Sequence, residues 1–176
     1  QSSKIKFELG LIRNHYVGRT FIEPTQSIRS FGVKLKLSST KSILRNKSIV
    51  LIDDSLVRGT TCSKIVKMLY KAGAKEVHVR IACPEIKYPD FYGVDMPTKK
   101  ELLSSSKNKN EICDFLGSAS CDFLSIEGLY KALLNAKRNN NYPQFSDHYF
   151  TGEYPIKALD KLGNEKITQL SLLSNK

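Results

Sequence analysis

Four apolar residues in a row, Ile49 to Ile52, run into two carboxylates, Asp53 and Asp54, and the spacing of apolar positions then changes. Cys62, Ile65, Val66, Leu69 and Ala72 recur at helical intervals, and Gly73 stands where such a helix ends. A short apolar run containing β-branched residues suits a strand buried on both faces of a parallel sheet. The pattern predicts a strand over Lys47 to Asp53 and a helix over Thr60 to Ala72. Val77, Val79 and Ile81 alternate with polar residues, which predicts a second strand over Glu76 to Ala82 and completes a βαβ unit.

On either side the pattern is weaker. Phe7, Leu9, Leu11 and Ile12 suggest a strand approach over Lys4 to Ile12 that delivers Arg13 at its carboxyl end. Asn14 to Lys36 holds Gly18, Pro24 and Gly32 and no sustained period, so it reads as a long functional loop with extended ends. Past Cys83, prolines and a glycine break up Pro84 to Pro97, where Tyr88, Phe91 and Tyr92 offer either a wall for a ring or core packing. Short helices are expected over Thr98 to Ser104 and Asn110 to Leu116, and a short strand over Asp122 to Leu124. A helix over Ile126 to Asn135 follows, opened by Ser125 as its cap. Arg138 to Asn141 reads as a polar surface connection, and Ile156 to Leu162 carries only a weak helical pattern.

This order places Asp53 and Asp54 at the carboxyl end of a strand and Ser55 to Thr61 in the turn that opens a helix, where ligands bind in open α/β sheets. Free N–H groups around Gly59, Thr60 and Thr61, at the positive end of a helix dipole, favour a phosphate. Hydroxyls of Ser55, Thr60 and Thr61 add donors, while two aspartates aimed at that phosphate would repel it. The acid pair is better suited to two vicinal sugar hydroxyls or to a divalent cation held on the same ligand. A bare turn with a Thr60 cap is the plainer reading of the same residues.

Composition narrows this little. The chain has 176 residues and 40% hydrophobic content, enough for one α/β domain with a core. No apolar run reaches the roughly 18 residues that span a bilayer, and no signal-peptide pattern opens the chain, so a cytoplasmic protein without membrane association is expected. Cys62, Cys83, Cys113 and Cys121 form no C-x-x-C pair and sit in or beside apolar stretches, as reduced core thiols do. The net charge of +11 raises nucleic-acid binding, yet the basic residues are spread over several segments without a dense arm. A positive field also serves a polyanionic substrate.

IDDSLVRGTT, Ile52 to Thr61, resembles the phosphoribosyl pyrophosphate (PRPP) motif of type I phosphoribosyltransferases, in the version found in glutamine PRPP amidotransferases. RNHYVGRTFI from Arg13 to Ile22, with Pro24, Gln26 and Arg29, is similar to the mobile loop of that family. GAKEVHVR, PEIKYPDFYGVDMP and FTGEYP are similar to further family segments, so the resemblance covers nearly the whole chain. It implies an α/β fold, an open and mostly parallel sheet flanked by helices, of the type I phosphoribosyltransferase kind. It also implies that ammonia displaces pyrophosphate from C1 of PRPP to give 5-phosphoribosylamine, at the entry to purine synthesis.

In that reading Arg13 and Arg19, with Mg2+, lie against the leaving pyrophosphate. Asp53 and Asp54 hold the ribose hydroxyls, with or without the metal, and Ser55, Val57, Arg58, Gly59, Thr60 and Thr61 bind the 5-phosphate. Ammonia needs no general base to attack, and His15 reads as a solvent-facing loop residue. A homo-oligomer and feedback by purine nucleotides are implied by the resemblance alone.

Residues 1–137 are expected to form the transferase domain, lacking its start, with 138–176 a helical or irregular tail packed on it. Members of the family carry an amino-terminal glutaminase domain that begins with a nucleophilic cysteine; the chain begins with Gln1, and a fragment without glutaminase activity is expected. Some members also bind an iron-sulfur cluster through cysteines at positions matching Asp90, Ser146 and Tyr149. Those residues do not replace thiolates, so no cluster is expected. Two other classes share the PRPP motif: a transferase acting on a purine base or orotate, and a non-catalytic PRPP-binding regulator that grips nucleic acid.

Overall fold

Three parallel strands, β3 (Ser48–Asp53), β4 (Glu76–Ile81) and β5 (Ser120–Phe123), form a sheet in the order β3-β4-β5. Ser48 pairs with Glu76 and Asp53 with Ile81, and on the other side of β4 His78 pairs with Ser120. A separate antiparallel pair joins β1 (Leu11–Arg13) to β2 (Leu37–Ser39), Arg13 lying opposite Leu37. The computed structural model describes residues 3–13, 37–94 and 98–156. The helices are α1 (Lys41–Leu44), α2 (Thr60–Lys71), α3 (Leu103–Ser106), α4 (Lys109–Leu116), α5 (Ile126–Leu134) and α6 (His148–Thr151). A 3-10 turn, Lys99–Glu101, precedes α3.

The core lies on one face of the sheet. Val77, Val79 and Ile81 of β4 and Cys121 of β5 are buried there against Cys62, Ile65, Val66 and Leu69 of α2 and Ile112 and Leu116 of α4. Strand β3 departs from the reading of its apolar run. Ile49 and Leu51 pack on this core, but Val50 and Ile52 are exposed, so the strand is covered on one face and not on both. Its neighbour explains the difference, because β4 turns Glu76, His78 and Arg80 to that second face. A polar ladder crosses it: the Ser48 hydroxyl donates to Glu76 at 2.8 Å, and His78 Nδ1 meets the Ser120 hydroxyl at 2.8 Å.

The helix expected over Thr60 to Ala72 spans Thr60–Lys71, capped by Ala72, and Gly73 with φ of 99° turns the chain out of it. Helix α4 opens on a capping box, in which Asn108 accepts from Glu111 N and Glu111 from Asn108 N. Ser125 caps α5 as expected, accepting from Gly128 N at 2.9 Å. Of the strand approach over Lys4 to Ile12, Leu11 and Ile12 pair with β2, and the pairing runs on through Arg13; Ile5, Phe7 and Leu9 before them are exposed. The loop from Asn14 to Lys36 lies outside the described residues, while the strands at its two ends are paired. The helical pattern of Ile156 to Leu162 lies outside them after Ile156.

The polar tract at Arg138 is not simply a surface connection. The Arg138 side chain turns inward, where Nε donates to Asp147 Oδ2 at 2.5 Å and Nη2 to Glu153 Oε2 at 2.6 Å. The fully buried Tyr130 of α5 gives its hydroxyl to the same Asp147 at 2.8 Å. Backbone N–H groups of Lys87 and Tyr88 bond the carbonyl of Tyr149. These bonds fasten the segment around α6 to the rest of the protein.

Candidate functional site

Asp53 ends β3, and the next six residues form a loop whose conformation is set from behind. Leu56 is buried in the core, and the Val57 carbonyl accepts from Leu103 N at 2.9 Å. Arg58 reaches sideways to Glu101, with Nε and Nη2 at 3.2 and 3.1 Å from Oε1. Glu101 is itself held by the Thr98 N–H and hydroxyl. The Arg58 guanidinium is thus engaged at the rim, which leaves its backbone as its contribution to the loop.

Gly59 closes the loop in the left-handed region, with φ of 70°. It is also the cap of α2, where Thr60 was the sequence candidate. A Cβ at Gly59 would lie 2.7 Å from Leu103 Cδ2 and 3.0 Å from Phe115 Cε1, so both conformation and space require glycine. Ser63 N is the first to bond within the helix, to the Gly59 carbonyl at 2.9 Å. The N–H groups of Thr60, Thr61 and Cys62 precede it and point out of the helix end, as the first donors of any α-helix do. With the helix dipole these donors are of the kind that suit an anion beside Asp53.

The acid pair is held apart from that end. The Ser55 hydroxyl donates to Asp54 Oδ1 at 2.9 Å, and Asp54 N donates to Asp53 Oδ1 at 3.1 Å. Burial pushes the Asp53 carboxyl above its ordinary range; the Asp54 N–H opposes this and the Asp54 charge reinforces it. Such a carboxylate gains from a hydroxyl donor or a cation. Among the described residues no cluster of three or more histidines, cysteines or acids forms a metal site. Two adjacent carboxylates are hard oxygen donors of the kind that hold Mg2+ jointly with substrate oxygens.

Arg13 ends β1 beside β2, and Arg19 lies outside the described residues. The sheet and loop therefore bring Asp53 through Thr61 together, and the placement of the two arginines against them is not described. The residues that shape the loop from behind, Glu101, Leu103 and Phe115, were not singled out from the sequence; only Thr98 and Glu101, spaced as a capping box, carried a signal.

The chain is 54% identical over 176 residues to an amidophosphoribosyltransferase of Rhizobium etli, a match covering 99% of the chain and 36% of that protein. The chain is homologous to one part of the amidophosphoribosyltransferases. Amidophosphoribosyltransferase 1 of Arabidopsis thaliana, a chloroplastic protein, is 53% identical over 90% of the chain and 27% of its own length. Among solved structures, the glutamine PRPP amidotransferase from B. subtilis, complexed with ADP and GMP, superposes with a TM-score of 0.74 at 47% identity. That match covers 88% of the chain and 34% of the other. The type I phosphoribosyltransferase fold expected from the sequence is the one observed. The chain spans about a third of the length of these amidophosphoribosyltransferases. No protein-family model matches it.

The positions linked to an iron-sulfur cluster in some amidophosphoribosyltransferases meet in space. Asp90 Oδ1 lies 2.8 Å from His148 Nε2, and Ser146 Oγ lies 3.0 Å from His148 Nδ1. The Tyr149 hydroxyl also bonds Asp90. Burial raises the Asp90 carboxyl, but bonds from Val94 N, His148, Tyr92 N and Tyr149 outweigh it and lower the pKa to about 2. Tyr92 packs edge-on against His148, and Phe91 lies 5.0 Å from Tyr154, so these aromatics serve packing. All four cysteines are free thiols. No helix among the described residues is long and apolar enough to cross a membrane.

Proposed function

We propose that this chain carries the PRPP-binding part of an amidophosphoribosyltransferase, which joins ammonia to C1 of PRPP and releases pyrophosphate. The observation that carries the reading is the sequence of strand, acid pair and Gly59-closed loop running into the free N–H groups of α2. The 5-phosphate sits on the N–H groups of Thr60 and Thr61, on their hydroxyls, on the Ser55 hydroxyl once it turns from Asp54, and on the loop backbone at Val57, Arg58 and Gly59. Asp53 and Asp54 accept hydrogen bonds from the two ribose hydroxyls, which stabilises the charged form that burial disfavours in Asp53.

The reaction transfers the ribose 5-phosphate group. The ammonia nitrogen forms a bond to C1 as the bond from C1 to the pyrophosphate oxygen breaks, and the nitrogen then gives a proton to solvent. Negative charge grows on the departing pyrophosphate, and Arg13 and Arg19 supply positive charge there. Asp53 and Asp54 are the carboxylates that would hold Mg2+, and the cation would supply positive charge against the departing pyrophosphate. Ammonia derives from glutamine in the whole protein, purine nucleotides act as feedback ligands, and the protein works as a cytoplasmic homo-oligomer. The relative complexed with ADP and GMP supports the nucleotide part.

Oxygen groups in place of thiols, Asp90 and Ser146 joined through His148 and Tyr149 beside Asp90, support a protein without an iron-sulfur cluster. A transferase domain over 1–137 with a tail packing on it from 138 is supported by Arg138, whose bonds all reach tail residues while Tyr130 receives that tail. Ammonia-dependent release of pyrophosphate from PRPP by the full-length protein tests the reaction. The Asp53→Asn, Asp54→Asn double variant is expected to lose at least about a hundredfold in kcat/KM, as loss of transition-state charge contacts does. Full activity in that variant contradicts the assignment.

A further inference from the structure

Three consecutive residues of the loop after β3 are pinned by one short segment. Leu103 N donates to the Val57 carbonyl at 2.9 Å, Glu101 takes the Arg58 guanidinium, and Leu103 Cδ2 lies 2.7 Å from where a Gly59 Cβ would be. The first of these contacts sets a direction. In a trans peptide the carbonyl and the N–H point to opposite sides, so turning the Val57 carbonyl back to Leu103 turns the Arg58 N–H away from it. No acceptor among the described residues meets that N–H or the one of Gly59. Both are left for a ligand.

The Glu101 carboxylate divides its oxygens. Oε1 accepts from Arg58 Nε at 3.2 Å and Nη2 at 3.1 Å, and Oε2 accepts from Thr98 N at 3.1 Å and from the Thr98 hydroxyl at 3.0 Å. The Thr98 hydroxyl first, then the Thr98 N–H and Arg58, hold this carboxyl below its ordinary range. Both side chains of the ion pair are 48% exposed, and such a pair adds little to stability. Its anchorage is what sets it apart. The 3-10 turn that carries Glu101 is closed by Leu102 N on the Lys99 carbonyl, which also accepts from the Ser105 hydroxyl. Lys99 Nζ lies 5.3 Å from the centre of the Tyr88 ring, and that ring is seated on Gly152, where a Cβ would be 2.8 Å from it. The carboxylate is a fixed point, and the guanidinium comes to it.

We propose that Glu101 is a positioning residue for the 5-phosphate of PRPP, holding Arg58 from behind so that the Val57–Arg58 peptide presents its N–H to the phosphate before the substrate arrives. The inference rests on the function proposed above, since it takes this loop as the phosphate seat. Glu101 itself touches no substrate and acts through Arg58. Donors ordered in advance spare the cost of ordering them on binding.

Isothermal titration of ribose 5-phosphate into the full chain, Glu101→Gln, Arg58→Ala and the double variant tests this. Ribose 5-phosphate lacks the pyrophosphate, so it reads the 5-phosphate seat alone. Glutamine has one acceptor oxygen in place of two, so it cannot serve Thr98 and Arg58 as the carboxylate does. Each single variant is expected to weaken binding about fivefold, the scale of a half-exposed charge pair, and the double variant no more than either. Thermal midpoints are expected to stay within about 2 °C of the unaltered chain, which separates positioning from loss of structure. Unchanged affinity in Glu101→Gln, losses that add in the double variant, or a midpoint that falls by more than about 5 °C along with the affinity overturns the positioning role and leaves the PRPP reading in place. Absence of binding to the unaltered chain contradicts the PRPP reading itself, and the positioning role with it.

Discussion

Gly59 is the residue on which the loop after β3 turns. Its left-handed φ and the closeness of Leu103 and Phe115 leave no room for a side chain. Gly59→Ala is expected to cost about 1–3 kcal/mol, the range for a strained left-handed residue, and to weaken PRPP binding; denaturant melts of both proteins measure the first effect. The thiols make a prediction of the opposite kind. Burial pushes Cys62 up to about 12, and Cys83 and Cys121 up to about 11, with the Asp53 charge adding to the rise at Cys62 and those of Asp54 and Asp53 at Cys83. These three are expected to resist iodoacetamide at pH 8 in the folded protein and to react fully in denaturant, as read by mass spectrometry. The acid pair, the glycine and the hydroxyls of the loop were legible in the sequence because their contribution is local. The contact of Asp90 with His148 was not, since the two lie 58 positions apart and no local pattern signals their meeting.

At the scale of elements, legibility followed length and period. Helix α2 and strand β4 carry enough apolar repeats to be read within a residue or two, and the caps of α4 and α5 are short-range side-chain bonds. Elements β2, α1 and α6 have three or four residues each, too few to show a period, and were not anticipated. Strand β3 shows a different limit, because a continuous apolar run does not reveal whether one face or two is covered. Its exposed Val50 and Ile52 follow from the polar face of β4 alongside. Asn108→Ala removes a cap that serves two N–H groups of α4 and is expected to lower stability by about 1 kcal/mol. A thermal melt at neutral pH reads it, and an unchanged midpoint would show that the cap is dispensable.

For the molecule as a whole, two acids with buried side chains tie the segment around α6 to α5 and to the stretch at Asp90. Asp147 is 3% exposed; burial raises its pKa, but bonds from Arg138 and Tyr130 leave it lowered overall. Asp90 is lowered to about 2. An acid depressed in the folded state contributes stability that is present above its unfolded pKa and lost as pH falls toward the folded value. Stability is therefore expected to hold from pH 7 to about 5 and to fall between about 4 and 2, where these acids take up protons. Asp90→Asn should be less stable at pH 6 and flatter with pH below 4; a slope identical to the unaltered chain would remove Asp90 from the account. Arg138→Ala leaves Asp147 buried without its partner and is expected to cost about 3–5 kcal/mol in urea melts.

In the function proposed for this chain, Asp53 to Thr61 cradle the ribose and 5-phosphate of PRPP. Isothermal titration of PRPP with Mg2+ into the chain and into its Asp53→Ala, Asp54→Ala variant tests it most directly. Saturable binding to the chain is expected, with affinity falling at least about tenfold in the variant as two charged acceptors are lost. Equal affinity in the two proteins, with the fold of both verified by circular dichroism, would contradict the account.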